Sequence, residues 1–130
     1  METAAQRESN RRLGQLGEEA ALVFIGSLGW EVVARNLRTP HGEIDVLCRD
    51  DSTFAVVEVK ARSSRTCGAP IEAVDARKVG RLLRSVSWWL AQQEVSACPP
   101  VRVDVISVEL DRTGRPLCLR LDRDVLGNGA

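Results

Sequence analysis

The sequence predicts one α/β domain: a mixed β-sheet flanked by helices, with elements in the order α-β-β-β-α-β-β. Three observations predict it. Apolar residues recur at helical spacing in two stretches, one ending near Leu28 and one spanning about Asp75 to Glu94. Two short apolar segments flank Arg49-Asp50-Asp51-Ser52 and read as a β-hairpin. The second helical stretch stands between that hairpin and a strong strand, Val101–Leu110, so it permits a parallel crossover into the same sheet.

Residues 1–9 are polar and lack periodicity, which predicts a loose arm. Ser9 or Asn10 could cap a first helix running to about Leu28, with Leu13, Leu16, Ala20, Phe24 and Ser27 or Leu28 as its buried stripe. Glu18 borders that stripe among Gly14, Gly17 and Ala21. Small neighbours would let another backbone or a ligand approach Glu18 closely. They would equally allow tight helix–sheet packing with Glu18 as a surface acid, and helix geometry leaves both readings open. Gly29 is a fitting residue to end the helix. Trp30–Arg35 reads as a first strand and Asn36–Gly42, with Pro40, as a connecting turn.

The hairpin follows. Alternation puts Glu43, Asp45 and Leu47 on one face of its first strand, and Val56, Glu58 and Lys60 on one face of its second. Antiparallel pairing through the turn sets Asp45 beside Glu58. Glu-x-Lys on a strand can be an ordinary solvent-facing ion pair. Here, however, the strand is apolar on both faces up to Glu58, as a centrally placed strand is. Two carboxylates and an ammonium there cost free energy unless a cation or substrate relieves them.

Lys60–Pro70 reads as a basic loop. The second helix, from Ala73 or Asp75 to Glu94, has an apolar stripe of Val79, Leu82, Leu83, Val86 and Leu90 with Trp89 at its edge. The opposite face carries Arg77, Arg81, Arg84 and Trp88, with Lys78 toward the side. Such a face suits a nucleic-acid backbone, a merely solvated surface, or a protein interface centred on Trp88. Cys98-Pro99-Pro100 breaks the chain before Val101–Leu110. A turn at Asp111–Gly114 then leads to an edge strand, Pro116–Leu121, and residues 123–130 read as a loose tail.

Composition limits the function. The chain has 130 residues, the size of one domain, at 44% hydrophobic and 28% charged. Formal net charge is zero and the pI is about 6.6, which argues against indiscriminate nucleic-acid binding. The charge is uneven: Lys60, Arg62, Arg65, Arg77, Lys78, Arg81 and Arg84 face only Glu72 and Asp75 over the same span. An acidic site beside a basic surface suits a cation and an anionic polymer bound together. Cys48, Cys67, Cys98 and Cys118 form no Cys-x-x-Cys pair, and His41 is the sole histidine, which argues against structural zinc. Isolated cysteines predict a reducing, cytoplasmic setting. The longest apolar run, Ala20–Ile25, is too short to span a membrane.

Several segments together resemble a known group. Gly17-Glu18-x-x-Ala, Ala34-Arg35-Asn36-Leu37-Arg38, Gly42-Glu43-Ile44-Asp45, Val57-Glu58-Val59-Lys60-Ala61-Arg62, Lys78 and Arg102-Val103-Asp104 look like the YraN family of predicted endonucleases, over roughly residues 13–110. That family is similar to archaeal Holliday-junction resolvases and to restriction endonucleases of the Asp…Glu-x-Lys type. The resemblance implies a restriction-endonuclease-like core and a divalent Mg²⁺ or Mn²⁺. It implies that Asp45 is the metal-binding aspartate, that Glu58 and Lys60 are the Glu-x-Lys, and that Glu18 is the helix-borne glutamate joining them. Leu37 departs from the family, which often has an aromatic there.

On that reading Asp45, Glu58 and the backbone carbonyl of Val59 offer hard oxygen ligands, with Glu18 completing the shell. Lys60 orients or helps deprotonate a water, while Arg62, Arg77, Lys78, Arg81 and Arg84 hold the nucleic-acid backbone. The expected substrate is structured or branched nucleic acid, DNA ahead of RNA. The competing reading is a nucleic-acid-binding module of the same fold that does not cut. Junction resolvases act as dimers, so a homodimer is an expectation that the sequence leaves open.

Overall fold

A strand that buries consecutive residues must be covered on both faces, and Ala55, Val56 and Val57 are all fully buried. The computed structural model, which describes residues 1–63, 74–94 and 98–125, shows what covers them. Its elements are α1 (Ala4–Leu28), β1 (Glu31–Thr39), β2 (Gly42–Asp50), β3 (Thr53–Ser63), α2 (Ala76–Ala91), β4 (Val101–Leu110) and β5 (Pro116–Asp122). The strands form one mixed sheet in the order β1-β2-β3-β4-β5, with β3 in the middle. β3 and β4 are parallel and the other neighbours antiparallel. One core packs Ala21 and Ile25 of α1 with Val46, Val57, Ile106 and Val108. The other packs Val79, Leu82 and Val86 of α2 with Ile44, Leu47, Val56 and Val103. The result is the expected helix–sheet–helix arrangement in the expected order.

Several boundaries differ from expectation, each for a local reason. α1 begins at Ala4, not after Ser9 or Asn10, because Thr3 closes a capping box with Gln6. The Thr3 Oγ1 accepts the Gln6 N–H at 3.1 Å and the Gln6 Oε1 accepts the Thr3 N–H at 2.7 Å. β1 extends through the expected turn to Thr39, with a register shift between Val32 and Ala34, so the connection to β2 is only Pro40 and His41. Farther along β1, Asn36 has φ 49°, a region Asn tolerates better than most residues.

β3 continues past Lys60 to Ser63 because its parallel pairing with β4 runs to Ser63 opposite Leu110. The rest of the expected basic loop, from residue 64 and including Arg65, lies outside the described residues. α2 is shorter than expected at both ends, capped by Asp75, whose Oδ1 accepts the Lys78 N–H at 2.8 Å. Leu83 is 38% exposed and falls off the predicted stripe, while Ser85 is buried in it.

The start of the predicted loose tail is tied down. Asp124 N–H donates to Asp104 Oδ1 at 2.8 Å and Val125 N–H to the Val103 carbonyl at 2.9 Å. Asp104 is fully buried and accepts from Arg102 Nε, as its position two residues away suggested. Arg102 also pairs with Asp50 and lies over the Trp30 ring. Cys48 is a buried free thiol and Cys98 an exposed one, whereas Cys118 is disulfide-bonded. One of the four cysteines expected to be isolated is therefore paired. No helix among the described residues is long and apolar enough to cross a membrane.

Candidate metal and phosphate site

The site begins with the β2–β3 register. The β2–β3 pairing ends with Val46 opposite Val57, and Asp45 and Glu58 are the next residue on each strand. Asp45 Oδ2 accepts the backbone N–H of Val59 at 2.9 Å, which locks its carboxylate across the strand pair. The expected face of β2 needs one correction. Ile44 joins the same core as Leu47, three residues on, so strict alternation breaks around Asp45.

Lys60 follows Glu58 by two residues and shares its face of β3. Lys78 arrives from α2, its Nζ 3.6 Å from Glu58 Oε1, with the Glu58 side chain only 12% exposed. Lys78 therefore belongs to the carboxylate cluster rather than to the outer basic face. Glu18 arrives from the other side. A Cβ built on Gly17 would collide with the Ala61 Cβ, so only glycine lets α1 lie this close to β3. The glycine thus serves helix–sheet packing and also delivers its neighbour. Glu18 Oε1 is buried and has no hydrogen-bond partner.

The electrostatics show that these groups sense one another. Burial pushes the Asp45 carboxyl up, against the Val59 N–H and the Lys78 ammonium, while Glu43 adds to the rise and Lys60 opposes it. Burial also raises Glu58, with the Asp45 charge next, and Lys78 and Lys60 oppose it. Glu18 is raised by burial and then by Asp45, with Arg35 opposing and Glu43 adding. Carboxyls raised by desolvation and by one another are poised to gain from a cation.

Two clefts flank the cluster. One, of about 300 Å³, is lined by Glu58, Val59, Lys60, Arg62, Ser107 and Glu109 among others. The other, of about 280 Å³, is lined by Gly42, Glu43, Asp45, Lys78, Arg81 and Ser85 among others. The Lys78–Glu58 pair joins them. Of the residues expected to hold nucleic acid, Arg77, Arg81 and Arg84 are exposed on α2. Arg62 instead turns inward: its Nε and Nη2 donate to Glu109 Oε1 at 3.2 and 2.9 Å, and Glu109 is 3% exposed.

The donor set fits a hard divalent cation in kind, being carboxylate oxygens with one buried and unsatisfied. Among the described residues, no three His, Cys, Asp or Glu side chains stand close enough to hold a metal by themselves. Reasoning from sequence missed Glu43, Arg35, Ser107 and Glu109. Ser107 and Glu109 carried a signal, as polar residues at alternate positions among the apolar Val105, Ile106, Val108 and Leu110.

Comparison with known proteins shows the family of the chain. The profile of the family described as "Uncharacterised protein family UPF0102" matches residues 17–108, a span that includes all four clustered residues. A UPF0102 protein of Symbiobacterium thermophilum is 44% identical over 109 residues, covering 84% of this chain and 92% of its own. One from Thermus thermophilus is 40% identical over 113 residues, covering 87% of this chain and 94% of its own. One from Paenarthrobacter aurescens is 47% identical over 96 residues, covering 74% and 78% respectively. With the match running across both helices and four of the five strands, the chain belongs to the uncharacterised protein family UPF0102, the YraN family whose motifs it carries.

Proposed function

We propose that this protein hydrolyses phosphodiester bonds in nucleic acid with the help of a divalent cation, structured or branched DNA being the preferred substrate. The observation that carries this reading is Asp45, held by the Val59 N–H on β3 and within electrostatic reach of Glu58, with Glu18 bringing a buried carboxylate oxygen, unpartnered among the described residues, within reach of the same Asp45. Asp45, Glu58 and the Val59 carbonyl would hold Mg²⁺ or Mn²⁺, with Glu18 reaching it directly or through water. Such an ion, when bound, supplies Lewis-acid charge against the phosphate and acidifies water.

The chain's own residues do the rest. Asp45 is fixed by the Val59 N–H, so it need not reorganise when a cation arrives. Lys78 holds Glu58 while the site is empty of cations and offsets part of its burial cost. Lys60 has no ion pair among the described residues, which leaves its ammonium free to orient water and to stabilise the oxyanion that builds up at the phosphate. Arg77, Arg81 and Arg84 supply the backbone contacts that position the strand without reading its sequence.

The test is a cleavage panel of linear, nicked, flapped and four-way DNA, with single-stranded RNA alongside, in Mg²⁺ or Mn²⁺. Asp45→Asn and Lys60→Ala should each lower the rate on the order of 100-fold or more while the protein stays folded. Rates equal to wild type in both variants would remove these roles.

One observation favours a second reading, a binding module of the same fold that does not cut. No ready-made trio of metal-ligating side chains stands among the described residues. Metal titration separates the two readings: saturable Mn²⁺ binding that Asp45→Asn abolishes supports the nuclease. Salt-sensitive DNA binding with neither metal binding nor cleavage supports the module.

A further inference from the structure

Ser107 is 4% exposed, and its Oγ is buried without a hydrogen-bond partner. A buried hydroxyl left unpaired costs about 1–3 kcal/mol, so its presence calls for a use. It lines the cleft of about 300 Å³ that also holds Glu58 and Lys60. The sheet register shows what surrounds it. Ser107 on β4 pairs with Lys60 on β3 and with Arg120 on β5. Side chains of paired residues in adjacent strands project from the same face. A cation, a hydroxyl and a second cation therefore stand in one row across three strands. Two interstrand spacings separate the ends of that row, roughly 10 Å.

The charges around the row leave it free for an anion. Glu58 is paired with Lys78, and Glu109 with Arg62. Lys60 has no ion pair among the described residues. Among the described residues Arg120 pairs only with Asp122, at 2.9 Å, and is 64% exposed, and a surface pair of that kind is weak and readily exchanged.

We propose that Lys60, Ser107 and Arg120 form a phosphate-binding row, a subsite beside the carboxylate cluster that carries the substrate backbone across β4 to the sheet edge at β5. Ser107 Oγ donates to a non-bridging phosphate oxygen, with Lys60 and Arg120 on either side. This deepens the nucleic-acid reading above and rests on it. It also gives the substrate a direction: from the arginine face of α2, past Asp45 and Glu58, along the row to β5.

The experiment measures binding of fluorescein-labelled single-stranded, duplex and four-way DNA in EDTA, over a range of salt, so that cleavage cannot intervene. Ser107→Ala should weaken binding roughly tenfold, the worth of one hydrogen bond to a charged group. Its melting temperature should stay level or rise, because the lost hydroxyl has no partner in the fold. Arg120→Ala should flatten the slope of log affinity against log salt by about 1, and Arg120→Lys should restore it. If wild-type protein binds DNA but both alanine variants match its affinity and slope, the row is wrong while the nucleic-acid reading stands. If wild-type protein binds none of the probes, the nucleic-acid reading fails and takes the row with it.

Discussion

Lys78 Nζ lies 3.6 Å from Glu58 Oε1, joining the first turn of α2 to the middle of β3. This contact brings a second helix into the site, which α1 already reaches through Glu18. Lys78→Met should move the Glu58 titration midpoint further up, since the opposing ammonium is gone while burial and the Asp45 charge remain. Carboxyl-carbon NMR against pH reads the shift. The stability cost should be small, about 1 kcal/mol or less, because Lys78 is 37% exposed and water screens the pair. An unmoved midpoint would show that the pair does not form in solution.

Glu18, Asp45 and Glu58 all titrate above the ordinary carboxylate range, burial being the largest cause in each. The folded protein therefore holds protons that the unfolded chain has already released. Their favourable contribution is complete below the ordinary carboxylate pKa and is lost as pH rises through the higher folded values. In metal-free protein, Glu18→Gln should raise the melting temperature at pH 7, and the gain should vanish at low pH where wild-type Glu18 is itself protonated. Thermal melts of both proteins across pH check it. A variant less stable at every pH would mean that the charge is not strained.

A cation should relieve the same strain. Mn²⁺ or Mg²⁺ at about 100 times its dissociation constant should add about 2.7 kcal/mol of stability at neutral pH. Asp45→Asn should abolish that gain. Calorimetry with and without EDTA makes the comparison without any need for turnover. Equal metal-induced shifts in both proteins would place the binding elsewhere.

Two of the three glycines on α1, Gly14 and Gly17, should respond oppositely to alanine. Gly14 has open space where a Cβ would stand, so Gly14→Ala should gain about 1 kcal/mol of helix propensity. Gly17 faces Ala61 too closely for a Cβ, so Gly17→Ala should lose about 1–3 kcal/mol as α1 is pushed off the sheet. Urea denaturation of the two variants decides it. A stabilised Gly17→Ala protein would contradict the packing.

Much of the site was legible because short-range geometry determines it. A two-residue turn at Asp51 and Ser52, with Asp51 at φ 55°, sets the β2–β3 register, and that register brings Asp45 and Glu58 to the end of the paired stretch. The two helical stripes were legible for the same reason, since a period needs only its neighbours. What could not be read depends on how elements lie against one another. Lys78 turns inward, and Ser85 rather than Leu83 is buried, because of where α2 settles over β2 and β3. Arg62 looked free for a substrate until β4 placed Glu109 beside it. The full length of α1 was hidden differently: Thr3-x-x-Gln6 is a complete capping box, but no apolar stripe follows it for two turns.

The parallel pairing of β3 with β4 has an outcome for the growing chain. Until the crossover helix and β4 have been made, β3 has β2 on one side and an open hydrogen-bonding edge on the other. Such an edge, carrying Ala55, Val56 and Val57 in succession, invites pairing with another nascent chain. Glu58, Lys60 and Arg62 interrupt it with charge at every second position, the pattern that discourages edge-to-edge association. These charged side chains thus act as gatekeepers against aggregation before the last strands arrive.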